Sequence, residues 1–157
     1  MPRTFVDPEP KWFEDFELGD VMVTRGRTVD IGDITVFAGL TGDHYQLHTD
    51  AAFMEGNRFG QRIAHGPLTF TLAVGLIGLS GFYGDAIAAL VEITGLKAFK
   101  PVFPGDTLHV VATIAVHDAS GPKYGTLGVN YSVRNQRDEE VMSFLQTMLA
   151  KRRQEEK

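Results

Sequence analysis

Residues 39–50, "GLTGDHYQLHTD", gather Asp43, His44, His48 and Asp50 between two glycines and the end of the stretch. A carboxylate and an imidazole this close can converge on one small molecule. The carboxylate accepts hydrogen bonds and the imidazole donates or accepts near neutral pH, so together they can take a proton from a bound water and deliver one nearby. Two other readings fit the same letters. His44 and His48 at i and i+4, with Asp43 or Asp50 as third ligand, make a metal site only on a helix. Gly42 ahead of them and the lack of the glutamate of an H-E-x-x-H pattern count against that. A solvated loop with Asp43 as an Asx-turn residue is the third reading. The stretch by itself leaves all three open.

A second chemical feature is "IAHGPL", residues 63–68. Gly66 and Pro67 stand at the start of an apolar run, and proline suits the first turn of a helix. The N–H groups there point beyond the helix end, where partial positive charge suits an anion or a developing oxyanion. Pro67 has no N–H, which leaves the amides of Gly66 and Leu68. Taken alone, Gly66 reads as a helix start without a ligand, and His65 as readily as a packed core histidine. "GLIGLSG" lies inside the helical pattern and lacks G-x-G-x-x-G spacing, so its glycines read as packing residues. Lys97, Lys100, Arg58 and Arg62 are single basic side chains able to meet phosphates on an acyl carrier. His109 and His117 alternate away from an apolar strand face and are expected to face solvent.

The elements that must position these groups are legible in the periodicity. Residues 21–29 read as a strand. Asp30 stands as an N-cap before Ile31, Ile34, Phe37 and Ala38, whose spacing predicts a short helix ending at Thr41–Gly42. A second short helix is expected from Thr49 or Asp50. From Pro67, Leu68, Leu72, Leu76 and Leu79 occupy one side and Phe70, Val74 and Ile77 the other, without a charge. A helix apolar all round is expected to be buried on nearly every face. Beyond Ala86 the period becomes two, giving candidate strands at 86–93, 96–102, 107–116, 124–134 and 140–149. Leu108, Val110, Ala112, Ile114 and Val116 share one face, as do Leu127, Val129, Tyr131 and Val133. An antiparallel sheet curling round the uncharged helix satisfies both patterns, an α+β domain. One domain of 1–157 is expected, with loosely ordered tails at 1–12 and 151–157.

Bulk properties narrow the function. The 157 residues are 43% hydrophobic and 22% charged, as in an ordinary globular domain. A net charge of −5 with no basic cluster before the final residues argues against nucleic acid. No cysteine is present, which excludes thiolate metal sites and cysteine nucleophiles. Residues 66–84 form the longest uncharged run, but five glycines and its threonines make it a buried helix rather than a membrane span. Without an apolar N-terminal leader, a cytoplasmic protein with no membrane partner is expected.

"FAGLTGDHYQLHTDAAF" followed by "FGQRIAHGPLTFTLAVGL" resembles the signature of the MaoC-like dehydratases, the (R)-specific enoyl-CoA hydratase family. "FEDFELGDV" and "FKPVFPGDTL" are similar to its first-strand and hairpin segments, so the resemblance runs from about residue 12 to 150. It implies the hot-dog fold: a long central helix wrapped by a curved antiparallel sheet, assembled as a homodimer or dimer of dimers. It also implies a lyase of fatty-acid-type metabolism that hydrates trans-2-enoyl-CoA, needing no cofactor beyond the coenzyme A carrier of its substrate. By the resemblance Asp43 and His48 hold the water and the Gly66 amide polarises the thioester carbonyl. Tyr45, Gln46, His65 and Leu68 then border the substrate, with Arg58 or Arg62 as partners for an acyl carboxylate. His65 takes no catalytic role. Tyr45 stands where the family usually has Asn, Gln46 where it has Pro, Pro67 where Met is more frequent, and Val74 where several relatives place a supporting Ser. The alternatives are a hot-dog thioesterase and a non-catalytic acyl-CoA-binding subunit.

Overall fold

A computed structural model describes residues 1–154. Its sheet follows the alternation closely. β4 (Thr107–Asp118), β5 (Tyr124–Arg134) and β6 (Glu140–Lys151) pair antiparallel, and β3 (Ile87–Ala98) flanks β6. β1 (Val21–Val23) and β2 (Arg27–Thr28) pair with β4, giving the order β1-β4-β5-β6-β3 with β2 beside β1's position. Leu108, Val110, Ala112, Ile114, Leu127, Val129, Tyr131 and Val133 are all buried. Each leucine, isoleucine and valine among them contributes about 1.5–3 kcal/mol through burial.

Val116 departs from its expected face and is exposed, because the β4/β5 register shifts between Ile114 and Val116. An extra residue at such a bulge turns the following side chains over. The strand expected at 21–29 is divided in two. Thr24 Oγ1 accepts the Val110 N–H at 2.9 Å, and Gly26 lies so near β4 that a Cβ there would stand 2.9 Å from the Thr107 methyl. Conversely, the strands expected at 86–93 and 96–102 join into one, which passes through Gly95 at φ +61°.

α1 (Ile31–Thr41) is capped by Asp30 and Asp33 in a reciprocal box and stopped by Gly42 at φ +77°, whose N–H reaches the Ala38 carbonyl at 2.8 Å. Two short helices follow, α2 (Gln46–Thr49) and α3 (Ala51–Glu55), the latter capped by Asp50. α4 (Gly66–Leu79) buries Leu68, Thr69, Leu72, Ala73, Leu76 and Ile77 against the curved sheet. Burial on nearly every face is not what it shows. Gly66, Thr71, Gly75, Gly78 and Leu79 are exposed, Leu79 by 67%, because one sheet covers one side of the helix. The outer edge of β3 is likewise unpaired among the described residues and carries exposed Leu90, Val91 and Leu96. The architecture is the hot-dog arrangement of a helix held in a curved antiparallel sheet. None of the described helices is long and apolar enough to cross a membrane.

Each end is held at a few points, while residues 1–8 are exposed and make no hydrogen bond to the rest of the described residues. Asp85 N–H reaches the Glu9 carbonyl at 3.1 Å, Arg152 meets Glu14 at 3.0 Å, and Arg153 pairs with Asp15. Residues 155–157 of the expected C-terminal tail lie outside the described residues. His117 does not face solvent freely: its ring stacks on Phe13 at 3.9 Å and Nε2–H donates to the Phe13 carbonyl. His109 is half-buried, 3.6 Å from Asp138.

Behind α4 the hydroxyls of Tyr83 and Tyr131 meet at 3.0 Å. Burial pushes Tyr131 up to about 12 and Tyr83 further still. Because the folded state holds these protons while unfolded tyrosine ionises near pH ~10, the pair's contribution to stability is intact below that pH. It is lost as pH rises towards about 12. The expected result is a phenolate signal for the pair that appears together with loss of ellipticity. Subtracting the titration of a Tyr83→Phe/Tyr131→Phe variant isolates it. Phenolate absorbance from the pair at intact ellipticity would contradict this account.

Candidate active site

Asp43 is aimed by the turn that ends α1. Its N–H reaches Thr41 Oγ1 at 3.2 Å and its Oδ1 accepts the Tyr45 N–H at 3.3 Å, an Asx-type turn that leads into α2. α2 carries His48, half-buried, whose Nδ1–H donates to the Ile63 carbonyl at 2.7 Å. That bond leaves the lone pair of the neutral ring on Nε2. The Ile63 N–H in turn reaches the Leu47 carbonyl at 3.0 Å, so the chain before α4 lies alongside α2.

His65, the N-cap of α4, is fully buried. Its Nε2–H donates to the Asp43 carbonyl at 2.9 Å, its ring stacks on His48 at 3.8 Å, and Phe37 closes the far side at 5.0 Å. His65 Nδ1 is buried without a partner among the described residues. The stretch read as competing alternatives therefore becomes one cluster, in which an atom from each of Asp43, His48 and His65 lies within 4.8 Å of the others. His44 stays exposed outside it. As a metal site the cluster fits poorly. The two imidazole planes are only 26° apart, so their in-plane lone pairs run nearly side by side and do not meet at the ~2 Å bond length of a ligated zinc.

As a water site it fits well. The Asp43 carboxylate and His48 Nε2 are both acceptors, so a water donating one hydrogen to each turns its lone pairs outward. The N-terminus of α4 lies beside it. The Gly66 and Leu68 amides fall in the first turn, where no intrahelical acceptor exists, and Pro67 has none to offer. A cleft of about 330 Å³ runs past Gly66, lined also by Thr69, Arg58, Phe99, Lys100 and Met142; Asp43 and His48 are not among its lining residues.

The remaining candidates are distributed unevenly. Arg58 lines this cleft, stacked over Phe59 at 4.6 Å, while Arg62 lines a separate depression with Ile31 and Pro104. Tyr45 and Gln46 are exposed at the start of α2, Tyr45 by 64%. Leu68 packs into the core. Val74 is eight residues along α4 from Gly66, ~12 Å by the helical rise, and so is not beside the Asp43/His48 pair of its own chain. What sequence reasoning missed is that His65 touches both Asp43 and His48, a placement suited to positioning them. Its place directly before Gly66 was the available signal.

His65→Phe tests that role. The change keeps the stack on His48 and removes both a made bond, to Asp43, and an unmade one, at Nδ1. Stability is expected to stay within about 1 kcal/mol because the two losses offset each other. Any turnover supported by Asp43 should fall about 10²-fold as the loop shifts. Thermal melts beside steady-state kinetics read both, and unchanged turnover would remove His65 from the site.

A profile of the MaoC like domain matches residues 15–133. Protein MaoC of Klebsiella aerogenes is 35% identical over 108 residues, 69% of this chain, although the chain spans only 32% of that protein's length. An (R)-specific enoyl-CoA hydratase of Rhodospirillum rubrum is 32% identical over 105 residues, covering 67% of this chain and 69% of the hydratase. The solved structure of a monoamine oxidase regulatory protein from Archaeoglobus is similar to this one with a TM-score of 0.86 at 31% identity, covering 92% of this chain and 96% of that one.

Proposed function

Because the chain belongs to the family of MaoC-like domains, we propose that it is a hydratase/dehydratase that adds water reversibly across the C2=C3 bond of a trans-2-enoyl-CoA. The carrying observation is the pairing of two acceptors, the Asp43 carboxylate and His48 Nε2, beside the free amides at the N-terminus of α4. A hydratase among the relatives supports the same reading.

In this reading Asp43 is the general base and His48 orients the water. The water oxygen attacks C3 as its proton passes to Asp43, and the π electrons of the double bond move towards the thioester oxygen. The Gly66 N–H and the positive end of α4 stabilise that enolate. The proton then returns to C2, completing the 3-hydroxyacyl thioester. One cluster serves one face, so both new bonds form on the same side; the (R) configuration at C3 is carried over from the (R)-specific relative. One proton moves and no electron is exchanged with an outside acceptor, so the reaction requires no redox cofactor.

The working unit in this proposal is a homodimer or dimer of dimers. Leu90, Val91 and Leu96 on the unpaired edge of β3, and the uncovered side of α4, supply the apolar surface such a contact needs. Hydration of crotonyl-CoA and of longer enoyl-CoAs, followed by loss of the enoyl-thioester absorbance, tests the activity. Turnover to the (R) product supports it. Release of free thiol with the enoyl chromophore intact, or binding without turnover of any substrate, would replace it.

A further inference from the structure

The wall of the cleft at Gly66 divides the site in two. It includes Gly66, whose amide meets the thioester carbonyl in the hydratase reading, but neither Asp43 nor His48. Ile63 stands at the divide. It lines the cleft, while its carbonyl accepts the His48 Nδ1–H at 2.7 Å. The cleft thus leads away from Gly66 on a side that the water-holding pair does not occupy.

The carbonyl carbon of a thioester has two substituents, and the pair decides where one of them goes. C3 must lie at Asp43 and His48. Across a trans double bond C4 points away from C1, so the acyl chain continues away from the sulfur. The other substituent is the sulfur with its carrier arm, and the open path left for it beyond Gly66 is the cleft. Its charges agree with that occupant. The chain carries a net charge of −5, yet the cleft is lined by two cations, Arg58 and Lys100, and by no carboxylate. Lys100 is held by Glu139 at 2.5 Å. Arg58 has no carboxylate partner among the described residues. It is exposed, and its guanidinium lies over the Phe59 ring at 4.6 Å. Stacking of this kind fixes the plane of the guanidinium and leaves its N–H fork free at the edge, the geometry that meets a phosphate with two parallel hydrogen bonds.

We propose that the cleft seats the carrier arm of the thioester, and that Arg58 is the specificity-determining residue that recognises phosphate on that arm. The inference rests on the hydratase reading of Asp43, His48 and Gly66, which fixes the direction of the substrate. Phe59 and Phe99 give the arm apolar walls for its methylene and methyl groups. The exposure of Arg58 lets a phosphate bind there while staying hydrated on its outer side. A thioester whose arm carries no phosphate offers this cation nothing.

The test compares crotonyl-CoA with crotonyl-pantetheine, which has the same thioester and arm but no phosphate. Wild type is expected to favour crotonyl-CoA in kcat/KM by about tenfold or more, the usual effect of hydrogen bonds to a charged group, expressed mainly in KM. Arg58→Gln is expected to bring the ratio towards one. Arg58→Lys, which keeps the charge and loses the fork, should restore part of it. Should melting show the variants unfolded, wild type alone gives a second reading: added salt should raise KM for crotonyl-CoA and leave that for crotonyl-pantetheine in place. Equal kcat/KM for the two thioesters in wild type, a ratio that survives in folded Arg58→Gln, or equal salt dependence would overturn the assignment. So would a loss in Arg58→Gln confined to enoyl-CoAs with a carboxylate on the acyl part, which would put the cation on the other side of the thioester. Calorimetric binding of butyryl-CoA and butyryl-pantetheine keeps the two claims apart. Arg58-dependent preference for butyryl-CoA without turnover of any enoyl thioester sinks the hydratase reading and leaves the phosphate site standing; turnover without preference does the reverse.

Discussion

Asp43→Asn is expected to lower kcat/KM for crotonyl-CoA hydration by about 10²–10⁴-fold, the usual consequence of losing a general base. The substitution is clean because of how the side chain is held. Asp43 is exposed and its Oδ1 accepts the Tyr45 N–H at 3.3 Å, a contact that the asparagine oxygen can keep. The melting midpoint should therefore barely move, since surface changes of this kind stay within about 0.5 kcal/mol. The loss would then be chemical rather than structural. A fall of less than tenfold, with the protein folded, would transfer the base to His48.

The second large effect is at His48. His48→Ala removes the Nε2 acceptor, and it also removes the Nδ1–H bond to Ile63 and the ring that stacks on His65. Turnover should again fall by about 10²–10⁴-fold, now with a stability loss of about 0.5–1.5 kcal/mol for the broken hydrogen bond. The decisive comparison is the double variant with Asp43→Asn. If the two residues hold one water between them, removing either disables the site, and the double variant should be little worse than the poorer single one. Losses that multiply in the double variant would mean that the two side chains act in separate steps, and the shared-water account would fail.

Much of the scaffold is written in local rules. The Asp30 cap, the Gly42 stop, Pro67 at the head of α4 and the alternation through β4–β6 each follow from one or two residues and their spacing. Other features leave no such trace. α2 is four residues long, too short for any period to reveal, yet it is the element that carries His48. The bulge after Ile114 is set by pairing with β5, and nothing in β4 alone marks it. The apolar character of α4 could not tell a surface buried by its own sheet from one left open on the molecule, because both demand the same residue types. At the site, the chemical types of Asp43, His48 and Gly66 were legible, and the resemblance gave them roles. Their convergence was not, because it depends on the carbonyls of Ile63 and Asp43, and a main-chain group has no letter of its own.

Those carbonyls have a further consequence. Three bonds join residues 43–48 to residues 63–65: Ile63 N–H to Leu47, His48 to Ile63, and His65 to Asp43. Asp43, His48 and the start of α4 are thereby fastened into one small block, and the far end of α4 and β6 stand outside it. Such a division makes the domain modular in evolution. In the proposed hydratase reading, mutations along the far end of α4 and β6 leave that block untouched, so descendants of this chain can vary the surface they offer a substrate without relearning their chemistry.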